Sequence, residues 1–308
     1  MSTRERTTPT ARAARPGRPR RLGLFGLTPY LFLAPAFVVY ATFLLYPLGR
    51  AAQISLYDWD GLTLATFVGL ENYVDVVTDP RLREAFWHAL VLIFFFAVLP
   101  VAIGLVLSAV LVRGRVRGLP FFRTVVFLPQ VVAMVVVAVA WRQIYAPGGT
   151  LNTALEAIGL GALTRAWLGD FTWTLPAVGF VGTWVCTGLV TVLLMAGMAR
   201  IPNDLYEAAT LDGAGAVRSF FAISVPAVRA EIVVSLTLTI IAALKTFDLV
   251  YVTTSGGPGT STTVPSYVVY RRAFMEGDVG SAAAVAIVLT ALIFLINLAV
   301  NLIGERER

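Results

Sequence analysis

The chain of 308 residues is 57% hydrophobic and only 14% charged, with a mean hydropathy of +0.79, which excludes an ordinary soluble domain and makes lipid a main partner. Its net charge of +6 comes from arginines that flank apolar runs, not from a basic patch interleaved with aromatics, so no nucleic acid is expected as a partner. His88, Cys186 and Lys245 are each the only residue of their kind, which excludes a multi-histidine metal site, an intrachain disulfide and, because Leu244 and not Gly precedes the lysine, a Walker A phosphate loop.

Residues 1–22 carry seven arginines among Thr, Pro and Ala, too polar to pack a core, and read as a disordered cytoplasmic tail. An apolar run at 28–48 follows. A cleaved signal peptide is the alternative there, but about 20 apolar residues cross ~30 Å of hydrocarbon and favour a retained first span. Further runs lie at 86–112, 122–141, 174–198, 228–252 and 281–303. They lack the period-two alternation of barrel strands, and backbone in lipid must hydrogen-bond internally, so all are predicted helices. Pro100, Pro129 and Pro176 fall in or at the edge of spans, where neighbours or water must satisfy freed carbonyls. Gly104 with Ser108, and Gly182 with Cys186, have a small-xxx-small spacing suited to close helix packing. His88, at the start of the second span, reads as structural.

Charge bias tests the six-span order. The tail, the 113–123 loop, the 200–229 loop and the C-terminus together hold 16 arginines, against seven (Arg50, Arg81, Arg83, Arg142, Arg165, Arg271, Arg272) in the alternate connections. Both termini are therefore expected in the cytoplasm, with residues 23–308 as one six-span domain. The loops near 50–85, 142–173 and 253–280 then face outward and are large enough to meet an external partner.

Within the loop at 200–227, Pro202 suits a first helical turn, Asp204 and Glu207 oppose the helix dipole, and Gly213 supplies an exit. Leu205, Ala208, Ala209 and Asp212 recur at helical spacing, giving a face with very small side chains at its middle. Such a helix suits force transmission as a rigid lever; an amphipathic connector lying on lipid fits the same physics. In the fifth run, Lys245 and Asp248 are three residues apart, so they either form an ion pair on one helical face or line an aqueous pathway. Gln130, Trp184, Thr187 and Thr191 offer the hydrogen-bonding and stacking groups that a sugar needs, although each alone is commonly packing glue.

The run EAATLDGAGAVRSFFAISVP (207–226) resembles the EAA signature of bacterial ABC importer permeases. Phe67-Val68-Gly69-Leu70-Glu71-Asn72-Tyr73, Phe127-Leu128-Pro129 with Trp141 and Asn152, and Phe247-Asp248-Leu249-Val250-Tyr251 with Thr254, Gly256, Gly257 and Pro258 are similar to elements of its carbohydrate-uptake branch, the maltose and glycerol-phosphate type. The similarity covers roughly 28–303. Val217, where an aromatic is common, and Ala230, where a second proline is common, depart from it. The resemblance implies an all-α integral membrane protein, a six-helix ABC importer transmembrane domain with a cytoplasmic coupling helix. It implies that Glu207, Ala208, Ala209, Asp212, Gly213 and Pro226 belong to the loop that docks on an ATPase subunit. The implied partners are a second, homologous permease, two cytoplasmic ABC ATPase subunits that bind ATP and magnesium, and an extracytoplasmic solute-binding protein; no cofactor is expected in this chain.

The expected function is passage of a sugar or oligosaccharide across the cytoplasmic membrane, with glycerol phosphate or another polyol or anionic solute as the alternative. Gln130, Trp184, Thr187, Lys245 and Asp248 are the expected pathway residues. An intramembrane enzyme would need convergent ionisable groups that these spans lack. A carrier acting without ATPases would leave the 200–227 loop without a role.

Overall fold

The computed structural model describes residues 28–114 and 118–305. The arginine tail predicted at 1–22 lies outside the described residues. The chain divides into two units, one ending at Gly49 and the other beginning at Arg50. Helix α1 (Thr28–Tyr40) passes through a π-turn into α2 (Tyr46–Ile54), within which the boundary falls. The continuous helix Tyr30–Ile54 is long and apolar enough to cross a bilayer.

After the end of α2, the second unit continues with a hairpin of β1 (Tyr57–Asp58) and β2 (Thr66–Phe67), followed by α3 (Glu71–Thr78). Asn72 ties these together, donating to the carbonyls of Ser55 and Tyr57 at 2.9 and 3.0 Å, while the Tyr73 hydroxyl lies 2.6 Å from Ser55 Oγ. Helix α4 (Pro80–Ile93), capped by Asp79, runs through a π-turn at Phe94–Val98 into α5 (Leu99–Arg113). Pro100 explains the π-turn: it has no N–H for the ladder, and Thr183 Oγ1 from another helix donates to the Phe95 carbonyl at 2.6 Å. The 34-residue rod is roughly 51 Å long at 1.5 Å per residue and overhangs the ~30 Å hydrocarbon.

The third apolar run is not one straight helix. It forms α6 (Leu119–Val131) and α7 (Met134–Ile144), bent by 97°, because Pro129 removes a ladder bond and Val132 and Ala133 turn extended. A short α8 (Thr150–Ala157) leads to α9 (Thr174–Met198), the most buried long helix among the described residues. Small residues let α9 sit against α5, α6 and α13. A Cβ on Gly188 would overlap the Val126 carbonyl, and one on Gly104 would lie 2.8 Å from Val190 Cγ1. Ser108 Oγ donates to the Thr191 carbonyl at 2.9 Å. The crossing at Gly104 and Ser108 is one that the small-residue spacing predicts, whereas the one at Gly188 is not singled out by it; in lipid, where apolar burial gives little net gain, dispersion at such contacts holds helices together.

After α9 come α10 (Asn203–Leu211), α11 (Ala216–Ser219), a π-turn at Phe220–Ser224, α12 (Val225–Ala227) and α13 (Arg229–Leu244). Residues 216–227 meet α13 at 70°. The fifth run is interrupted: α13 ends at Leu244 and α14 (Asp248–Thr253) begins after a three-residue break, where the Thr246 carbonyl accepts the Ser266 hydroxyl. Then α15 (Pro265–Arg271), a π-turn at Arg272–Glu276 and α16 (Val279–Glu305) close the chain. His88 is buried, its Nδ1 2.9 Å from the Thr263 carbonyl, and is structural as read. Among the described residues, four helices are long and apolar enough to cross a membrane, and up to six if each bent pair counts as one span, in agreement with the all-α, six-span reading.

Candidate functional site

Helix α10 is set by local chemistry at both ends. Pro202 is extended and starts it, and Asp204 in the first turn opposes the dipole; Glu207 lies a turn further in. Gly213 takes φ +77, a left-handed conformation that costs a Cβ-bearing residue energy. The bonds Ala214 N to Ala209 O (2.8 Å) and Gly213 N to Thr210 O (3.0 Å) close a Schellman motif. Glu207, Ala208, Asp212, Gly213 and Pro226 are exposed and Ala209 is half-buried, so the small face points away from the rest of the chain.

Tyr206 is the buried residue of α10. The Arg113 guanidinium at the end of α5 lies 3.3 Å from its ring centroid, and its hydroxyl is 2.9 Å from the buried Ser224 Oγ, in the π-turn before α12. The cation–π contact is worth about 0.5–2 kcal/mol and the hydrogen bond about 1 kcal/mol. A nine-residue helix is marginal alone, so this double anchor positions it. At its root, Arg200 pairs with Glu231 of α13. A cleft of about 430 Å³ runs between these elements, lined by Arg113, Met198, Asn203, Tyr206, Glu207 and Thr210.

The expected pathway residues fall into two groups. Gln130, half-buried, ends α6, and the Gly188 crossing brings that helix against α9, which carries Trp184 and Thr187. Trp184 is exposed beside Trp141, with centroids 5.6 Å apart. Thr187 instead donates to the Thr183 carbonyl at 2.7 Å, within its own helix, and Thr191 donates to the Thr187 carbonyl in the same way. Lys245 and Asp248 are exposed; Lys245 is the first residue of the α13–α14 break and Asp248 the first residue after it. The alternative of an intrahelical ion pair is not what forms: the break removes the helical register, and no ion pair joins the two among the described residues. Against hydrocarbon each charge would cost at least ~2.5–3.5 kcal/mol, so this face meets water, solute or protein.

Other residues of the resemblance tie loops. Asn152 donates to the carbonyls of Pro147 and Arg165 at 3.0 and 2.9 Å and accepts from Trp167 Nε1 at 2.8 Å. Thr254 Oγ1 lies 2.8 Å from Thr262 Oγ1. Two features escaped the sequence reading. Arg113 counted there only as one charge in a loop, and Ser224 carried no signal. Of the aromatic rings after α13, Phe247 and Tyr251 were visible as parts of a motif, and Tyr270 and Phe274 were not singled out.

Comparison with known proteins gives the context. The family described as binding-protein-dependent transport system inner membrane component matches residues 11–308. The probable ABC transporter permease protein YurN of Bacillus subtilis is 40% identical over 279 residues, covering 90% of this chain and 94% of that protein. The diacetylchitobiose uptake system permease protein NgcF of Streptomyces coelicolor is 36% identical, covering 92% and 87%. The fold matches, with a TM-score of 0.74 and 22% identity, a chain of a bacterial ABC transporter involved in the import of the acidic polysaccharide alginate, over 92% of this chain and 96% of that one.

Proposed function

The chain belongs to the family of binding-protein-dependent transport system inner membrane components, and from that premise we propose that it is the sugar-translocating permease of an ATP-driven importer. Relatives named for diacetylchitobiose and for trehalose/maltose uptake support a saccharide as the solute. In this reading a second permease completes the membrane pathway, two cytoplasmic ATPase subunits hold ATP and magnesium, and a solute-binding protein delivers the sugar from outside. Both termini lie in the cytoplasm, as the arginine bias requires.

The observation that carries the reading is α10: a short helix with an outward small-residue face, fastened through Tyr206 to both α5 and the segment entering α13. Small side chains at Ala208 and Ala209 let a groove of the ATPase come close. When the ATPase dimer closes on ATP, α10 moves with it, and the Arg113 and Ser224 contacts pass that displacement to the second and fifth spans. The α6–α7 and α13–α14 breaks then expose Gln130, Trp184, Lys245 and Asp248 to the solute.

The test is cross-linking and coupling in the complete importer. A cysteine at Ala208 or Ala209 should capture the ATPase subunit in native membranes, and Glu207→Ala should lower uptake more than ATP hydrolysis. No capture from either position would remove the basis of the reading. Competition of sugar uptake by glycerol phosphate would favour the anionic alternative, for which exposed Arg142, whose guanidinium donates to the Val252 carbonyl at 3.4 Å, is the motivating observation.

A further inference from the structure

After α13 the chain sets four aromatic rings in series. Phe247, at the break, stacks on Tyr251 of α14 with centroids 5.3 Å apart and 14° between the planes. Tyr270 of α15 contacts both, at 5.2 and 5.3 Å, and Phe274 continues from Tyr270 at 5.6 Å. The series is rooted where Phe247 packs on the core cluster that contains Leu249 and Tyr267. It emerges through Tyr251, 37% exposed, to Phe274, 79% exposed. Tyr251 shares its face of α14 with Asp248, one helical turn earlier. Lys245, the first residue of the break, is exposed.

Two constraints act on the face of α14 that carries Asp248 and Tyr251. The charged groups exclude hydrocarbon, and the ring faces favour a flat apolar surface over bulk water. A pyranose satisfies both, because its C–H face stacks on an aromatic ring while its rim of hydroxyls needs donors and acceptors. The stacked geometry of Phe247 and Tyr251 also fixes ring orientation before any ligand arrives, so little side-chain freedom is lost on binding. We propose that Phe247, Tyr251, Tyr270 and Phe274 form a stacking track for a neutral pyranosyl saccharide, with Lys245 and Asp248 binding its hydroxyls at the inner end. This rests on the sugar-permease reading and extends it by naming the mode of recognition and the residues that provide it.

The experiment uses the complete importer in proteoliposomes. Wild-type uptake of maltose, trehalose, lactose and diacetylchitobiose is measured first, and the best-imported saccharide becomes the probe. With binding protein saturated by that probe, Tyr251→Leu and Tyr270→Leu should lower uptake about two- to tenfold each, the value of one aromatic stacking contact. The ATP hydrolysed per saccharide should rise, and Tyr251→Phe, which restores the ring, should recover most of the loss. Phe274→Leu, at the exposed end, should behave alike and keeps the test decisive if a tyrosine variant fails to assemble. Import of a saccharide with uptake unchanged in Phe274→Leu and the tyrosine variants would overturn the track alone. Parallel loss of uptake, hydrolysis and co-purified second permease would overturn it too, by showing that the rings bury against that subunit. Import of none of the four saccharides by the wild type would overturn the sugar-permease reading itself.

Discussion

Tyr206 is the residue on which α10 depends, and its two contacts can be removed separately. Tyr206→Phe deletes the bond to Ser224 and keeps the ring beneath Arg113, a loss of about 1 kcal/mol. Arg113→Met keeps most of the aliphatic stem and deletes the cation, a loss of about 0.5–2 kcal/mol. Tyr206→Ala removes both and empties a buried site, at about 3–5 kcal/mol. Hydrogen exchange at the amides of 207–211 should therefore quicken least in Tyr206→Phe and most in Tyr206→Ala, and the ATP used per solute imported should rise in the same order. Unchanged exchange in Tyr206→Ala would show that something other than this anchor holds the helix. The sequence makes Pro202, Asp204 and Gly213 readable because capping and turn chemistry act within a few residues. It hides the Arg113 contact because a cation and a ring far apart in the chain leave no local pattern.

At the scale of elements, apolar runs report length and leave direction open. Pro129 marks trouble in the third run, yet neither its size nor its position shows that two helices will meet at 97°; that angle comes from the extended residues Val132 and Ala133 and from what α6 packs against. The same holds for the fifth run, where Lys245 and Asp248 mark polar positions without showing that the helix breaks at 245–247. Close crossings are more legible, since only small residues permit them. Gly188 should be intolerant of even one methyl: its Cβ would strike the Val126 main-chain carbonyl, and backbone cannot swing aside as a side chain does. Gly188→Ala should lower the melting temperature of the purified complex, by overpacking worth about 1–3 kcal/mol. Gly148→Ala, with nothing within 4 Å of its Cβ, should melt like the wild type. Equal melting of the two variants would mean that α6 and α9 separate freely at this crossing.

For the whole molecule, composition points to the solvent and arginine placement predicts an orientation, while partner-facing surfaces stay hidden because apolar side chains against lipid and against another subunit look alike in sequence. The orientation is open to direct measurement because Cys186 is the single cysteine and is buried. In a Cys186→Ala background, a cysteine at Leu62, 93% exposed in the loop before α3, should react with a membrane-impermeant maleimide added to intact cells. A cysteine at Leu211, 89% exposed at the end of α10, should react only in inverted vesicles. The physical basis is that arginine-rich segments next to spans are held on the cytoplasmic side, and the two termini together with the loops on the α10 side carry 16 arginines against seven in the opposite loops. The reverse labelling pattern would place α10 outside, where no cytoplasmic ATPase could reach it, and would remove both the lever and the energy source from the mechanism.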